Sequence, residues 1–181
     1  MSVFRKSMGA VVILVAICVL SGCGSGGSAD TLTAAGTQPP ASTGIPTLAF
    51  GAPTTNGAVV TFPLNITNSS GKSISGIEAD IGFDSSKFAL QMSGTTPVSA
   101  VSGAAATAAG KTINQNKSLS QVNVLHIAII DVGGNKSIGD GVVAQVSFTL
   151  VQGATLSGYV FSVTPTATDS HASPVTIIAG I

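Results

Sequence analysis

Few side chains in this chain are able to do chemistry, and their spacing limits what each can do. There are two cysteines, Cys18 and Cys23, and two histidines, His126 and His171. Cys18 lies inside an apolar run, which leaves Cys23 as the thiol placed for a covalent role. His126 has no second histidine or cysteine at ligand spacing, so it reads as an exposed strand histidine, not as a metal ligand or a switch. Asp131, Asn135 and Asp140 bring oxygen donors to one glycine-rich loop. Calcium takes about six to eight oxygens, and this loop lacks the acidic spacing of an EF-hand. It reads as turn chemistry, and no metal site is expected. Asp80 and Asp84 share one alternating segment with outward parity, whereas glycoside hydrolysis needs two carboxylates facing across a cleft. Gly24-Ser25-Gly26-Gly27-Ser28 is out of register for a nucleophile turn and falls in a low-complexity stretch. Catalysis is therefore not expected.

The elements around Cys23 come next. Arg5 and Lys6 precede the apolar run Met8 to Leu20. That run is shorter than the roughly 20 residues a spanning helix needs, and its basic start and apolar middle are those of a secretory signal. Leu20-Ser21-Gly22-Cys23 follows directly and resembles the bacterial lipobox. That resemblance implies cleavage after residue 22, leaving a signal peptide of residues 1–22 and lipid on Cys23. Gly24, where an aspartate would favour the inner membrane, points to the outer membrane or cell surface. The chain is thus expected to be exported and held in the envelope by its lipid alone. Stable holding needs more than one acyl chain.

Residues 24–44, GSGGSADTLTAAGTQPPASTG, show no hydrophobic period and read as a flexible tether. Residues 45–181 are enough for one domain. They contain no cysteine, so no disulfide can staple them. Without Arg5 and Lys6, five lysines stand against seven acids and no arginine remains. No basic patch for nucleic acid is available.

The domain is rich in Val, Ile, Thr, Ser and Gly, which favours strands. Period-two alternation places Val60, Phe62, Leu64 and Ile66 on one face. It does the same for Ile77, Ala79, Ile81 and Phe83, with Glu78, Asp80 and Gly82 opposite. Leu125, Ile127 and Ile129 alternate with His126, Ala128 and Ile130. Lys111 to Lys117, Val142 to Leu150, Tyr159 to Thr168 and Val175 to Ile181 are further strands. Turns are predicted at Thr55-Asn56-Gly57, Ser69-Ser70-Gly71-Lys72, Asp84-Ser85-Ser86-Lys87, Gly133-Gly134-Asn135 and Asp140-Gly141. This spacing predicts an all-β sandwich. Pro63 inside a strand predicts an edge position or a bulge. The alanine-rich stretch between Gly103 and Gly110 predicts one or two helical turns across an end of the sandwich.

The pieces resemble a cohesin domain, in that family's order. Ile77 to Asp84 followed by Ser85-Ser86-Lys87-Phe88 is similar to the family's strand ending in aromatic-Asp before a turn. Asn123 to Asp131 resembles its later central strand, and Gly139 to Leu150 its Gly-x-Gly turn and following strand. Ala167-Thr168-Asp169-Ser170 and Val175 to Gly180 resemble its C-terminal end. The resemblance spans roughly Thr47 to Ile181. It implies a jelly-roll sandwich of about nine strands that docks a protein in polysaccharide-related assembly, with a calcium-loaded dockerin module as the partner the family suggests. Any calcium would belong to the partner, and no cofactor is implied for this chain.

The family docks through one sheet face. On strand matching, the expected face comprises Glu78, Asp80 and Gly82; His126, Ala128 and Ile130; Asn114 and Asn116; and Ser162 and Thr164. Two other classes stay open. A carbohydrate-binding module would need exposed rings, and the chain has no Trp and one Tyr. A structural fibre subunit would use an open edge strand.

Overall fold

The structure is a computed structural model that describes residues 43–118, 121–131 and 136–180. The signal segment, Cys23, the tether up to residue 42 and the Gly133-Gly134-Asn135 turn lie outside them. In chain order the elements are β1 (Thr47–Phe50), β2 (Thr54–Asn56), β3 (Val59–Thr67), β4 (Gly76–Gly82), β5 (Phe88–Leu90), β6 (Met92–Ser93) and β7 (Thr96–Pro97). Then follow β8 (Ala100–Ser102), α1 (Ala104–Ala108), β9 (Lys111–Lys117), β10 (Val124–Asp131), β11 (Gly141–Leu150), β12 (Ser162–Thr168), β13 (Pro174–Val175) and β14 (Ile178–Ala179).

Two sheets form the sandwich. The larger runs β14-β1-β3-β11-β5, with β2 beside β3 and β8 beside β11; the smaller runs β13-β12-β4-β10-β9. The alternating segments behave as period two requires. Val60, Phe62, Leu64 and Ile66 from β3 are buried, and so are Ile77, Ala79 and Ile81 from β4 and Leu125, Ile127 and Ile129 from β10. All belong to one core cluster.

The strands number more than the expected nine or so because edges are broken. β11 keeps its outer edge paired by β5 and then by β8, and the β6–β7 ribbon is an excursion between them. The expected strand Val175 to Ile181 is split. β13 pairs with β12 in the smaller sheet, whereas β14 pairs in parallel with β1 in the larger one. The C-terminal chain thus crosses between sheets. The expected strand from Tyr159 starts only at Ser162, and Tyr159 and Phe161 ahead of it pack their rings against the core.

Pro63 departs from expectation. It lies in β3, an interior strand, paired opposite Gln145 of β11. Its carbonyl accepts from Gly51 N at 2.8 Å, and in an extended strand a residue's N and C=O point to the same side. The missing donor therefore faces the gap between β1 and β2, and no bond to β11 is lost. The bulge falls elsewhere, between Val142 and Ala144 of β11. The carbonyl of Val143 there accepts from Gly103 N at 2.9 Å. A Cβ on Gly103 would collide with the carbonyl of Val142, so only glycine allows this approach. α1 follows as a single short helix that buries Ala106 and packs against β11 of one sheet and β9 of the other.

One polar device joins the two sheets, and a second ties two strands of the smaller one. The Gln115 amide on β9 accepts from Ala100 N at 2.8 Å and donates to Ala100 O at 2.7 Å, standing in for a strand beside β8. Lys111, with a fully buried side chain, pairs with Asp131 at 2.9 Å. A buried ammonium without such a partner would be costly.

Every ring of the domain enters one cluster. Phe62 sits at its centre, with ring centroids 4.8 Å from Phe161, 5.2 Å from Tyr159, 5.8 Å from Phe50, 5.9 Å from Phe88 and 6.2 Å from Phe148. Phe83 joins through Phe148 at 5.3 Å. Phe62 is fully buried. Truncating such a ring leaves a cavity that costs about 3–5 kcal/mol. Phe62→Ala should therefore lower the unfolding free energy measured by chemical denaturation by that amount; a loss below about 1 kcal/mol would contradict a central role for this ring.

Candidate functional site

The outward face of the smaller sheet carries the expected residues in register. Across it, Asn116 lies opposite His126, His126 opposite Asp80, and Asp80 opposite Thr164. The next row is Asn114, Ala128, Glu78 and Thr166. Gly82 pairs with Ser162 on one side and Val124 on the other. Ile130 pairs with Thr112 and is 38% exposed. All ten expected residues therefore share one sheet face. Period-two parity placed each strand correctly, and strand order brought them together. Thr112, Thr166 and Thr168 lie on the same face and were missed, although the same parity rule finds them.

Glu78 and Asp80 supply the face's carboxylates, two residues apart on β4. Asp80 Oδ1 lies 2.7 Å from His126 Nδ1, and both side chains are partly exposed. His126 is thus tied to its cross-strand neighbour. Sequence spacing hides this contact, since the two residues lie on different strands. A depression of about 110 Å³ at one end is lined by Gly76, Glu78, Ile130, Thr166 and Thr168. Another of about 330 Å³ at the opposite end is lined by Gly82, Phe83, Val122, Asn123, Val124, Val160 and Ser162.

The remaining polar candidates have structural roles. Asp140 Oδ1 accepts from Ser69 N and Ser69 Oγ, each at 2.6 Å. Asp131 holds Lys111. Asn135 lies outside the described residues. Among the described residues no group of three or more His, Cys, Asp or Glu could hold a metal ion.

Asp84, expected on the same strand as Asp80, lies beyond the end of β4 in a turn. Its Oδ1 accepts from Ser86 Oγ at 2.7 Å and Ser86 N at 2.9 Å. The Ser86 hydroxyl, then its amide, hold this carboxyl below the ordinary value of 3.8. Asp169 does the same for the β12–β13 turn. Its carboxylate accepts from Ser173 N at 2.9 Å and His171 N at 2.8 Å, and these amides lower it in that order.

These positions define the class: an all-β sandwich with a sheet face, exposed among the described residues, that carries threonine, asparagine and acid. The model of the cohesin domain family matches residues 51–180, and the chain belongs to that family. Solved structures agree in fold. The sixth cohesin of scaffoldin B from Acetivibrio cellulolyticus, in complex with a Cel5 dockerin variant, is 20% identical with a TM-score of 0.57, covering 76% of this chain and 95% of that one. The cohesin of the Coh-OlpA-Doc918 complex from Clostridium thermocellum is 13% identical with a TM-score of 0.59, over 75% and 94%. The cohesin CaCohA2 from Clostridium acetobutylicum is 20% identical with a TM-score of 0.55, over 75% and 86%. No curated protein sequence matches the chain.

The two turn carboxylates have a pH consequence. Their pKa values are lowered on folding, so the unfolded chain takes up protons first as pH falls. Their stabilisation is complete above the unfolded value near 4 and is lost as pH falls through the lower folded values. Asn keeps the acceptor oxygen but does not titrate. The double variant Asp84→Asn/Asp169→Asn should flatten the decline of Tm below about pH 4. An unchanged acid limb in calorimetry would rule out this linkage.

Proposed function

We propose that this protein is a non-catalytic docking module held in the cell envelope by lipid on Cys23, which presents the outward face of β9, β10, β4 and β12 to a protein partner. The observation that carries this reading is the sheet face itself, where ten residues from four strands lie in register with two carboxylates at the centre. Membership of the cohesin family supports a protein partner. Solved relatives bound to dockerins support a dockerin-bearing one. The partner would carry its own calcium, and the assembly would serve polysaccharide breakdown. The signal-like start, the lipobox and the tether support export and anchoring at the outer membrane or cell surface.

Carbohydrate binding is disfavoured by the rings. Flat sugar recognition uses exposed aromatic surface, and here all six phenylalanines of the domain and Tyr159 join the core cluster or pack on it. A fibre subunit would need an edge strand open for augmentation, and no observation singles one out.

Two experiments test the proposal. Cys23→Ala should move the protein from the membrane fraction to a soluble one, and mass spectrometry of the wild type should find acyl chains on Cys23. Persistence of the variant in membranes would refute lipid anchoring. The full chain, immobilised in mild detergent, should retain one secreted or envelope protein bearing paired calcium loops, in calcium and not in chelator. Glu78→Lys should weaken that retention by about tenfold or more, or about 1.4 kcal/mol. Retention by insoluble polysaccharide with no protein bound would overturn the docking reading.

A further inference from the structure

β9 carries a lysine at each end, and both have the inward parity. Lys111 stands opposite Asp131, and Lys117 opposite the buried Leu125. Lys111 is buried and answered by the Asp131 carboxylate at 2.9 Å. Lys117 is exposed, and among the described residues it has no ion pair. It lines a depression of about 290 Å³ whose walls come from both sheets. Phe88 and Leu90 enter from β5 of the larger sheet, and Met92 from β6. Phe83, just beyond β4, and Asn123, just ahead of β10, complete the opposite wall. Met92 is 43% exposed. No carboxylate stands among the described residues that line this space. Its size is close to the roughly 300 Å³ at which small-molecule sites begin.

We infer that this depression binds a small arylalkyl carboxylate, whose ring packs on Phe83, Leu90 and Met92 and whose carboxylate meets the Lys117 ammonium. The ligand does for Lys117 what Asp131 does for Lys111 at the other end of the strand. Charge sets the first requirement. The lining holds one ammonium, which matches one negative charge, and a neutral aromatic would leave it unanswered. Hydrogen bonds between two ionised groups are the strong ones. Asn123 offers an amide donor to the same carboxylate. The apolar lining sets the second requirement. An aryl group suits it better than an alkyl chain, because phenyl rings and a thioether both gain from ring contact beyond the area covered. Methionine is also the side chain that adapts most readily to the shape of what it covers. Lys117 is not among the ten outward positions of the docking face, so this site is separate from that reading.

The test uses the full chain in lipid nanodiscs, titrated by NMR with phenylpropionate, its neutral amide and acetate. Met92 is the one methionine after Met8, so an isotope-labelled methionine methyl reports on the site. Phenylpropionate should shift the Met92 methyl and the Asn123 backbone amide saturably, with half-saturation at about 1 mM or below. Phenylpropionamide lacks the charge and acetate lacks the ring, and each should bind about tenfold more weakly. Lys117→Met changes an exposed side chain that has no ion pair to lose, so the fold is kept. It should weaken phenylpropionate about tenfold and leave the affinity for the amide unchanged. Absence of saturation by about 10 mM overturns the site. So does equal binding of acid and amide, or Lys117→Met without effect. Acetate binding as tightly as phenylpropionate would mean an adventitious ion only, and overturns it as well.

Discussion

Phe62 occupies the point on which both sheets close. The domain contains no cysteine, so no disulfide ties the sheets and packing must supply most of what holds them together. Rings supply that packing. Phe50, Phe62, Phe88 and Phe148 come from strands of the larger sheet. Phe83 extends from β4 of the smaller sheet, and Tyr159 and Phe161 lead into its β12. Edge-to-face contacts such as Phe62–Phe161 bring both groups into one cluster. Three of the rings, Phe62, Phe88 and Phe148, are among the largest fully buried side chains.

Drawing the rings into the core cluster or onto its edge limits what the surface can be. The smaller sheet is left with threonine, serine, asparagine, alanine, two acids, His126 and Ile130 facing outward. Such a face has no large ring to stack on a sugar. Its outward surface carries depressions at its two ends. The core and the candidate docking face are thus two consequences of one alternation along β4 and β10. The same residues that put Ile77, Ala79 and Ile81 inside put Glu78 and Asp80 outside.

Much of this was legible from residue order. The inward and outward parity of β3, β4 and β10 followed from alternation, whereas the ten face positions were chosen by matching strands to the cohesin family. The short helix between Gly103 and Gly110 was visible as an alanine run between glycines. Pro63 was misread because its consequence depends on which side its nitrogen faces. Here that side is the break between β1 and β2. The division of the C-terminal segment between two sheets was hidden for a similar reason, since pairing partners are distant in sequence. His126 looked like an isolated histidine, yet its Nδ1 lies 2.7 Å from an oxygen of Asp80, 46 residues earlier.

By itself, then, the sequence determined the alternation, the sandwich class, the lack of disulfides in the domain and which side of each main strand faces out. These are local properties, set by residue type and a two-residue period. Only the tertiary structure decided which strands became neighbours. That choice paired Asp80 with His126, put the Gln115 amide on the backbone of Ala100 and left Val122 and Val160 exposed on one depression. The physical reason is that strand pairing joins residues far apart in the chain, and no local period encodes which distant segment supplies the partner.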